Sequence, residues 1–290
     1  MKILRNTILS ISGACVLSST LSGCDFTEDC HYTGSVGVRM DWSELAAGLS
    51  RPDTLSAFFY HPDFRPEEHV LVGDTAYDSI TAGETTLCLL NLPQGIEMRQ
   101  TASLSEAALQ LPTHLEGNLR VVDGCPLICF FRDDFMTPVE DTICRTARPQ
   151  PLTGQIILKA HILREGITAE VDTCTASLSG ISTEYALGSG EASRNDATVC
   201  FPLEKEQGTD TFTKRFFVLG VSGDNPNIFS VTVRLEDGET RHAETDLSEQ
   251  LAGFKNGVFE AEITITLTAL GMEISIGSWN QGEYGDIIIQ

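Results

Sequence analysis

Cysteine is the residue type in this chain whose number and spacing allow the most chemical roles. Cysteines pair as disulfides in oxidising compartments, ligate metals, or pack as small apolar side chains. Cys125, Cys129 and Cys144 are close enough in the sequence to pair, but an odd number of cysteines follows position 24, so the pairing stays open. Free buried thiols are favoured, because Cys88, Cys129 and Cys200 lie in apolar runs. The nine cysteines are Cys15, Cys24, Cys30, Cys88, Cys125, Cys129, Cys144, Cys174 and Cys200.

The most specific chemistry belongs to Cys24. A basic start, a short apolar run and small residues precede it, and the sequence Leu-Ser-Gly-Cys that ends there resembles the bacterial lipobox. In that motif a peptidase cuts before the cysteine, and the thiol receives a diacylglycerol. We therefore predict a signal peptide over residues 1–23 and a lipid anchor on Cys24 that holds the protein to the outer membrane. An ordinary secretory signal is the alternative.

Residues 24–30 form a short acidic tether. The stretch Asp-Phe-Thr-Glu-Asp at 25–29 resembles the signals that send lipoproteins of Bacteroidetes to the outer face of the outer membrane. The alternative is a solvated tether that is acidic only because the whole chain is. We predict a lipid-anchored, surface-exposed protein of the cell outer membrane.

Acidic and histidine side chains are the next candidates for catalysis or metal binding. Asp133 and Asp134 adjoin each other, and Glu67 and Glu68 precede His69. Catalytic carboxylates are recognised by their geometry, and neighbouring acids are common in a chain with 41 Asp+Glu. The acidic loops do not match a complete calcium loop, and the cysteines lack the paired spacing of a zinc site. We predict no enzyme activity, no catalytic residue, no cofactor and no metal.

The composition excludes two further classes. The formal net charge is −22, from 19 Lys+Arg and 41 Asp+Glu. Nucleic-acid binding as a main function is excluded, because neutralising phosphates requires clustered Lys and Arg. A hydrophobic content of 41% indicates a globular chain rather than a disordered one.

Strands are the elements that position these residues in the first half of the chain. Alternate residues from Val36 to Trp42 are apolar, which places them on one face of a strand. The continuous apolar run Leu55–Tyr60 predicts a strand that is packed on both sides. Ser103 and Glu106 form a capping box, which predicts a short helix over the apolar residues that follow.

The second half follows the same pattern after a linker at 147–151 that contains two prolines. Ile156–Leu163 predicts a strand with Ile167–Val171 as its hairpin partner. Asp246 is expected to cap a short helix through Leu251. Alternate residues from Phe259 to Leu267 are apolar, the clearest strand pattern in the chain.

The order of these elements predicts an all-β fold. Many short strands, without long helices alternating between them, favour two tandem Greek-key β-sandwich domains with a few short helices. The proline-containing linker sets the predicted boundaries, with an N-terminal domain over 31–148 and a C-terminal domain over 152–290.

Several short motifs together resemble the fimbrillin-like lipoproteins of Bacteroidales, in the class of type V pilus anchor or accessory subunits. The likeness covers nearly all of the chain after the signal peptide, and it implies that the two sandwiches are transthyretin-like. One position departs from the family pattern, because Thr85 stands where a tyrosine is frequent. Besides the lipobox, the motifs are Val36, Val38, Asp41 and Trp42, then Ala82-Gly83 before Leu87, Leu89 and Asn91, then Leu178–Ile181 before Leu187–Gly190, and finally Ser278–Gly282.

The resemblance implies that the protein is a non-enzymatic anchor or accessory subunit, with a tip subunit also open, of fimbria-like surface fibres. Its partners would be other pilin-like subunits, joined by addition of a β-strand to an open sheet edge. Ile287, Ile288 and Ile289 form a candidate strand-donor segment, and an ordinary last strand is the favoured alternative. Pilins of this class are matured by cleavage after an arginine, and whether Arg39 is such a site stays open.

A surface carbohydrate-binding lipoprotein is the alternative function. Aromatic rings that stack on sugars must be exposed, and Trp42 is expected in the core because it ends an apolar face. Trp279 and Tyr284 are therefore the candidate residues for glycan stacking.

Overall fold

The computed structural model describes residues 32–192 and 196–284, all within a compact unit that spans Tyr32–Gln290. These residues form strands and turns, with no helix among them long and apolar enough to cross a membrane. The strands are β1 (Thr33–Met40), β2 (Leu55–Tyr60), β3 (Glu67–Leu71), β4 (Thr75–Thr81), β5 (Gly83–Leu90), β6 (Glu97–Arg99), β7 (Ala108–Gln110), β8 (Thr113–Glu116), β9 (Leu119–Val122), β10 (Cys129–Thr137), β11 (Thr142–Ala147), β12 (Gln150–Pro151), β13 (Gly154–Glu165), β14 (Val171–Ser182), β15 (Glu184–Ala186), β16 (Glu191–Ala192), β17 (Asp196–Pro202), β18 (Glu204–Lys205), β19 (Thr211–Val218), β20 (Ile228–Leu235), β21 (Thr240–Asp246), β22 (Gly257–Thr268) and β23 (Gly271–Gly282).

Sheets A and B form the first sandwich. Sheet A has the order β11-β1-β4, with β1 parallel to β11 and antiparallel to β4, and sheet B has the order β12-β10-β5-β2-β3. The side chains between them form the smaller core, in which Val36 and Val38 of β1 are buried as their alternation predicts. Trp42 packs against the same core from beyond the end of the strand.

Sheets D and E form the second sandwich. Sheet D has the order β21-β20-β14-β17-β9-β8, and sheet E has the order β18-β19-β13-β22-β23. Side chains of both sheets enclose the larger core, to which β22 contributes five fully buried side chains at alternate positions. This confirms the strand predicted from Phe259 to Leu267, because a period of two places every second side chain on the buried face.

Strand β2 connects the two cores. Its alternating side chains divide between them, since Ala57 and Phe59 lie in the smaller core whereas Phe58 and Tyr60 lie in the larger one. The prediction that Leu55–Tyr60 is packed on both sides is confirmed. Sheet B is therefore covered on one face by sheet A and on part of the other face by residues of the larger core.

The segment from β6 to β9 pairs with strands that follow it far along the chain. β9 lies parallel to β17 and so adds itself and β8 to sheet D. β6 and β7 form the small sheet C with β15 and β16. The division into domains over 31–148 and 152–290 stays a prediction, and these pairings join the two ranges.

One predicted hairpin is wrong. Ile156–Leu163 lies within β13, which is central in sheet E and pairs with β19 and β22 rather than with the segment 167–171 that follows it. After Glu165 the chain turns at Gly166, where φ is +75°, and crosses to sheet D as β14. The crossing lets both strands bury an apolar face in the same core, which an adjacent pair in one sheet would not enclose.

The short helices are also wrong for the described residues. Ser103 and Glu106 make one turn, with Ala107 N bonded to Ser103 O at 2.9 Å, and Ala108–Gln110 is then a strand. Leu109 pairs with β6 on one side and with β15 on the other, so pairing across the fold satisfies the backbone groups that a helix would otherwise use. Asp246 accepts a hydrogen bond from Ser248 N at 2.9 Å and caps a turn rather than a helix.

Candidate interaction surfaces

Several residues predicted to act lie outside the described part of the chain. These are the lipid-anchor residue Cys24 and the candidate strand donor at Ile287, Ile288 and Ile289. Both predictions stay predictions.

Arg39, the candidate processing residue, is described. Its side chain is exposed, but its backbone lies in β1 and pairs with Thr146 of β11. Because β1 is the middle strand of sheet A and carries Val36 and Val38 into the smaller core, a cut at Arg39 would act on a paired strand rather than on a free loop.

The two predicted stacking aromatics have different surroundings. Trp279 is half exposed on β23, and one face of its ring lies over Phe259, with centroids 6.4 Å apart and planes 26° apart. Tyr284 is half-buried, and its hydroxyl donates a hydrogen bond of 2.7 Å to Thr153 O. Burial raises the pKa of Tyr284, so this hydroxyl stays protonated as a donor. Trp279 has the exposure that stacking requires, whereas the hydroxyl of Tyr284 is already engaged.

The six described cysteines, Cys88, Cys125, Cys129, Cys144, Cys174 and Cys200, are all free. Burial is confirmed for Cys88 and Cys129, and it raises their pKa values to about 12 and about 11, which keeps them as unreactive thiols. The prediction is wrong for Cys200, which is exposed. Its neighbours Val199 and Phe201 take the buried face of β17, and alternation turns Cys200 outward.

The adjacent acids of the sequence are separated by the same alternation. Asp133 Oδ2 pairs with Arg145 Nε of β11 at 2.6 Å, whereas Asp134 faces the other side of sheet B and bonds to Thr86 and Arg132. The Thr86 hydroxyl is the main cause that lowers the pKa of Asp134. The two carboxylates therefore do not converge on one point, and within the described residues no group of three or more His, Cys, Asp or Glu side chains is placed to hold a metal.

An open sheet edge is the feature that sequence reasoning could not locate. β23 is twelve residues long and forms the outer strand of sheet E, and no described strand pairs with its outer side. Near its start it meets sheet D, where Arg241 Nη1 donates to Gly271 O at 2.9 Å. Its second half, from Ser278 to Gln281, is exposed, so unpaired backbone groups lie within reach of another chain.

The edge of sheet A at β4 is less suited to pairing. Ser79 has a φ of +65° and marks an irregularity opposite the register shift between Gly34 and Val36. Asp78 beside it accepts a hydrogen bond of 2.9 Å from Ser35 Oγ. Such bulges interrupt the regular ladder that an added strand needs. β23 has one register shift too, between Glu262 and Ile263 of its partner β22, but it is twelve residues long against seven for β4.

Solved structures share this fold. No family model and no curated protein matches the chain. A candidate adhesin from Bacteroides ovatus superposes with a TM-score of 0.61 at 14% identity and covers 87% of this chain and 92% of its own. The fimbrial anchor protein Mfa2 from Porphyromonas gingivalis gives 0.54 at 14% identity, with 87% and 100% covered. A candidate polysaccharide-binding protein from Bacteroides thetaiotaomicron gives 0.56 at 9% identity, with 86% and 98% covered.

Identities this low establish a shared fold and nothing finer. At that level the comparisons confirm the resemblance to fimbrillin-like proteins, since the chain has the all-β architecture of these adhesins and of a fimbrial anchor over most of its length.

Proposed function

We propose that the protein is a non-enzymatic anchor or accessory subunit of fimbria-like surface fibres. It is held to the outer membrane by a lipid on Cys24, after removal of residues 1–23, and faces the outside of the cell. The observation that carries the proposal is the fold shared with a fimbrial anchor protein across 87% of this chain and all of that one. The structures described as adhesins support the same class.

Strand addition at β23 is the proposed mode of assembly. The exposed second half of this edge, from Ser278 to Gln281, offers unpaired backbone N–H and C=O groups, and a strand from a neighbouring subunit would satisfy them. Main-chain bonds would supply affinity, and the side chains beside them, including Trp279, would set the preference for one partner strand.

Membrane attachment is tested by Cys24→Ala. The variant is expected to move from the membrane fraction to the soluble fraction, because it lacks the thiol that receives the lipid. Cys30→Ala is the matched control and should stay with the membrane. Retention of the Cys24→Ala protein in the membrane would count against the anchor.

Strand addition is tested by a double variant, Ser278→Lys with Asn280→Lys. Lysines on an edge strand oppose the docking of another strand, and both positions are exposed, so the fold is expected to persist. Asn118→Lys with Gln207→Lys adds the same charge at exposed positions away from this edge. Fibre subunits should be captured by the wild type and by this control, but at least tenfold less by the edge variant.

Equal capture by all three proteins would show that β23 does not receive the strand. Fibres that assemble and stay attached normally in a deletion strain would overturn the anchor role itself.

A further inference from the structure

A cleft of about 970 Å³ lies on the outer face of sheet B. Toward one end of that face, Phe58, Cys88 and Leu90 are buried in the larger core. Beyond these residues the larger core no longer covers sheet B, and the same face of the sheet lines the cleft. Its walls are the Pro62–Phe64 loop on one side and residues 102–105 with Gly188 and Ser189 on the other.

Three neighbouring strands build the floor of this cleft. The register places Tyr60 of β2 opposite Thr86 of β5, and Thr86 opposite Asp134 of β10, so the three residues form one row across the sheet. In a strand pair, residues directly opposite each other have neighbouring side chains on the same face. The row therefore presents a phenol, a hydroxyl and a carboxylate side by side, all of them lining the cleft.

Tyr60 is the group that points to a ligand. Its side chain is only 6% exposed, yet its hydroxyl has no hydrogen-bond partner. A buried hydroxyl without a partner costs about 1–3 kcal/mol, so a native fold rarely keeps one without a reason. Burial raises the pKa of Tyr60, which keeps the hydroxyl protonated and able both to donate and to accept.

The polar groups beside Tyr60 are held in place. Asp134 accepts hydrogen bonds from the Thr86 hydroxyl and, at 3.3 Å, from Arg132 Nη2. Both Arg132 and Asp134 remain partly exposed, with side-chain exposures of 41% and 62%, so each keeps hydrogen-bonding capacity toward the cleft. A fixed carboxylate next to a guanidinium presents acceptors and donors together, which is the arrangement that binds adjacent hydroxyl groups.

Apolar surface completes the lining. Phe64 is 42% exposed and Met136 is 60% exposed, so both contribute apolar surface to the cleft. Small-molecule sites of roughly 300–1,000 Å³ typically combine such apolar surface with a few placed polar groups. The exposed apolar area suits C–H groups, and the floor offers partners for O–H groups.

We propose that this cleft binds a saccharide, taken as one or more neutral sugar rings of an oligosaccharide. A sugar ring has hydroxyls for Tyr60, Asp134 and Arg132 and an apolar face for Phe64. An anionic ligand fits poorly, because the charged lining contains Asp134 and Glu84 against the single cation Arg132, which is already ion-paired. This site is separate from β23 and does not depend on the fibre role.

The test is calorimetric titration of the full chain with maltohexaose, cellohexaose, mannohexaose and xylohexaose. At least one is expected to bind the wild type. Tyr60→Phe should weaken that binding about three- to tenfold, since it removes one hydrogen bond to the ligand. It should raise rather than lower the melting temperature of the free protein, because it removes a buried hydroxyl that has no partner in the protein. Asp134→Asn and Phe64→Ala should weaken binding further.

Trp279→Ala is the matched control, since it removes an exposed aromatic ring elsewhere and should bind like the wild type. The proposal is overturned if none of the four oligosaccharides binds. It is also overturned if Trp279→Ala abolishes binding while the cleft variants bind normally. Membrane attachment and capture of fibre subunits would be unaffected by either result.

Discussion

The two sandwiches close their edges by different means. In the first, carboxylates join the sheets at both edges, because Glu67 of β3 accepts hydrogen bonds from Thr81 N and Oγ1 of β4, and Asp133 of β10 pairs with Arg145 of β11. In the second, a guanidinium joins one edge, where Arg241 of β21 donates a hydrogen bond to Gly271 O of β23, and the apolar core between the sheets is larger, since five side chains of β22 alone are fully buried. A three-stranded sheet offers little apolar area, so the first sandwich depends more on polar links.

The largest effect is expected from truncation in the larger core. Phe259→Ala should lower the free energy of unfolding by about 3–5 kcal/mol, since Phe259 is fully buried and packs against Phe254 and Trp279. Urea denaturation measures the loss. Leu270→Ala, at a fully exposed turn position, should change the same free energy by less than about 0.5 kcal/mol. Similar losses in the two variants would contradict the assignment of the core.

Phe58 and Phe59 are neighbours in β2 but pack in different cores. Phe58→Ala and Phe59→Ala should each cost about 3 kcal/mol or more, but Phe58 faces the larger core and Phe59 the smaller one. Phe58→Ala weakens the packing that joins the sandwiches, so it is expected to split urea unfolding into two transitions. Phe59→Ala should keep a single transition of lower midpoint. Hydrogen exchange would identify which strands open first, and identical behaviour of the two variants would refute the division of β2 between cores.

The polar link at one edge of the first sandwich should have a smaller effect. Glu67→Ala removes the acceptor for Thr81 N and Oγ1 and the carboxylate that lies 3.5 Å from His61 Nε2, so a loss of about 1–3 kcal/mol is expected. Glu68→Ala is the matched control, because its side chain points outward on the same strand and should cost less than about 0.5 kcal/mol. Equal melting temperatures for the two variants would show that the edge does not need this link.

The smallest effect concerns pH. The Arg148 hydrogen bond, helped by Ser43, lowers the pKa of Asp41 to about 2. Because folding depresses this pKa, the contribution is complete above the unfolded value of about 4 and is lost as pH falls through about 2. Wild-type stability should therefore fall more steeply between pH 4 and pH 2 than that of Asp41→Asn. Asp63→Asn, in an exposed loop, should follow the wild type. Parallel curves for wild type and Asp41→Asn would exclude the pair as a source of acid sensitivity.

The sequence predicted strands correctly where the hydrophobic pattern lay within a single strand. The alternation from Phe259 to Leu267 and the two-sided run Leu55–Tyr60 are local signals, and burial in the structure confirms both. The prediction was wrong where a local helix signal competed with pairing to strands that are distant in the sequence. The capping box at Ser103 would suit a helix, but β6 and β15 bond to the same segment and hold it as a strand.

The candidate site residues also differ in whether they could be predicted from the sequence. Trp279 was selected from its residue type, once Trp42 was assigned to the core, and it is half exposed. Asp133 and Asp134 looked like a pair because they are adjacent, yet a strand sends neighbours to opposite faces. The row of Tyr60, Thr86 and Asp134 had no sequence signal, because its members are separated by 26 and 48 positions and meet only through register.

The all-β fold class, and the core-facing side chains of strands with a clear alternation such as β1 and β22, could be predicted from the sequence, because both follow from a period of two within single strands. The motif at Cys24 likewise needs no structure to be recognised. The partners of each strand, the free edge at β23 and the open end of sheet B could not be predicted from the sequence. Those depend on how separate strands share buried faces, and a one-residue change in register would turn Tyr60, Thr86 and Asp134 to different sides of the sheet.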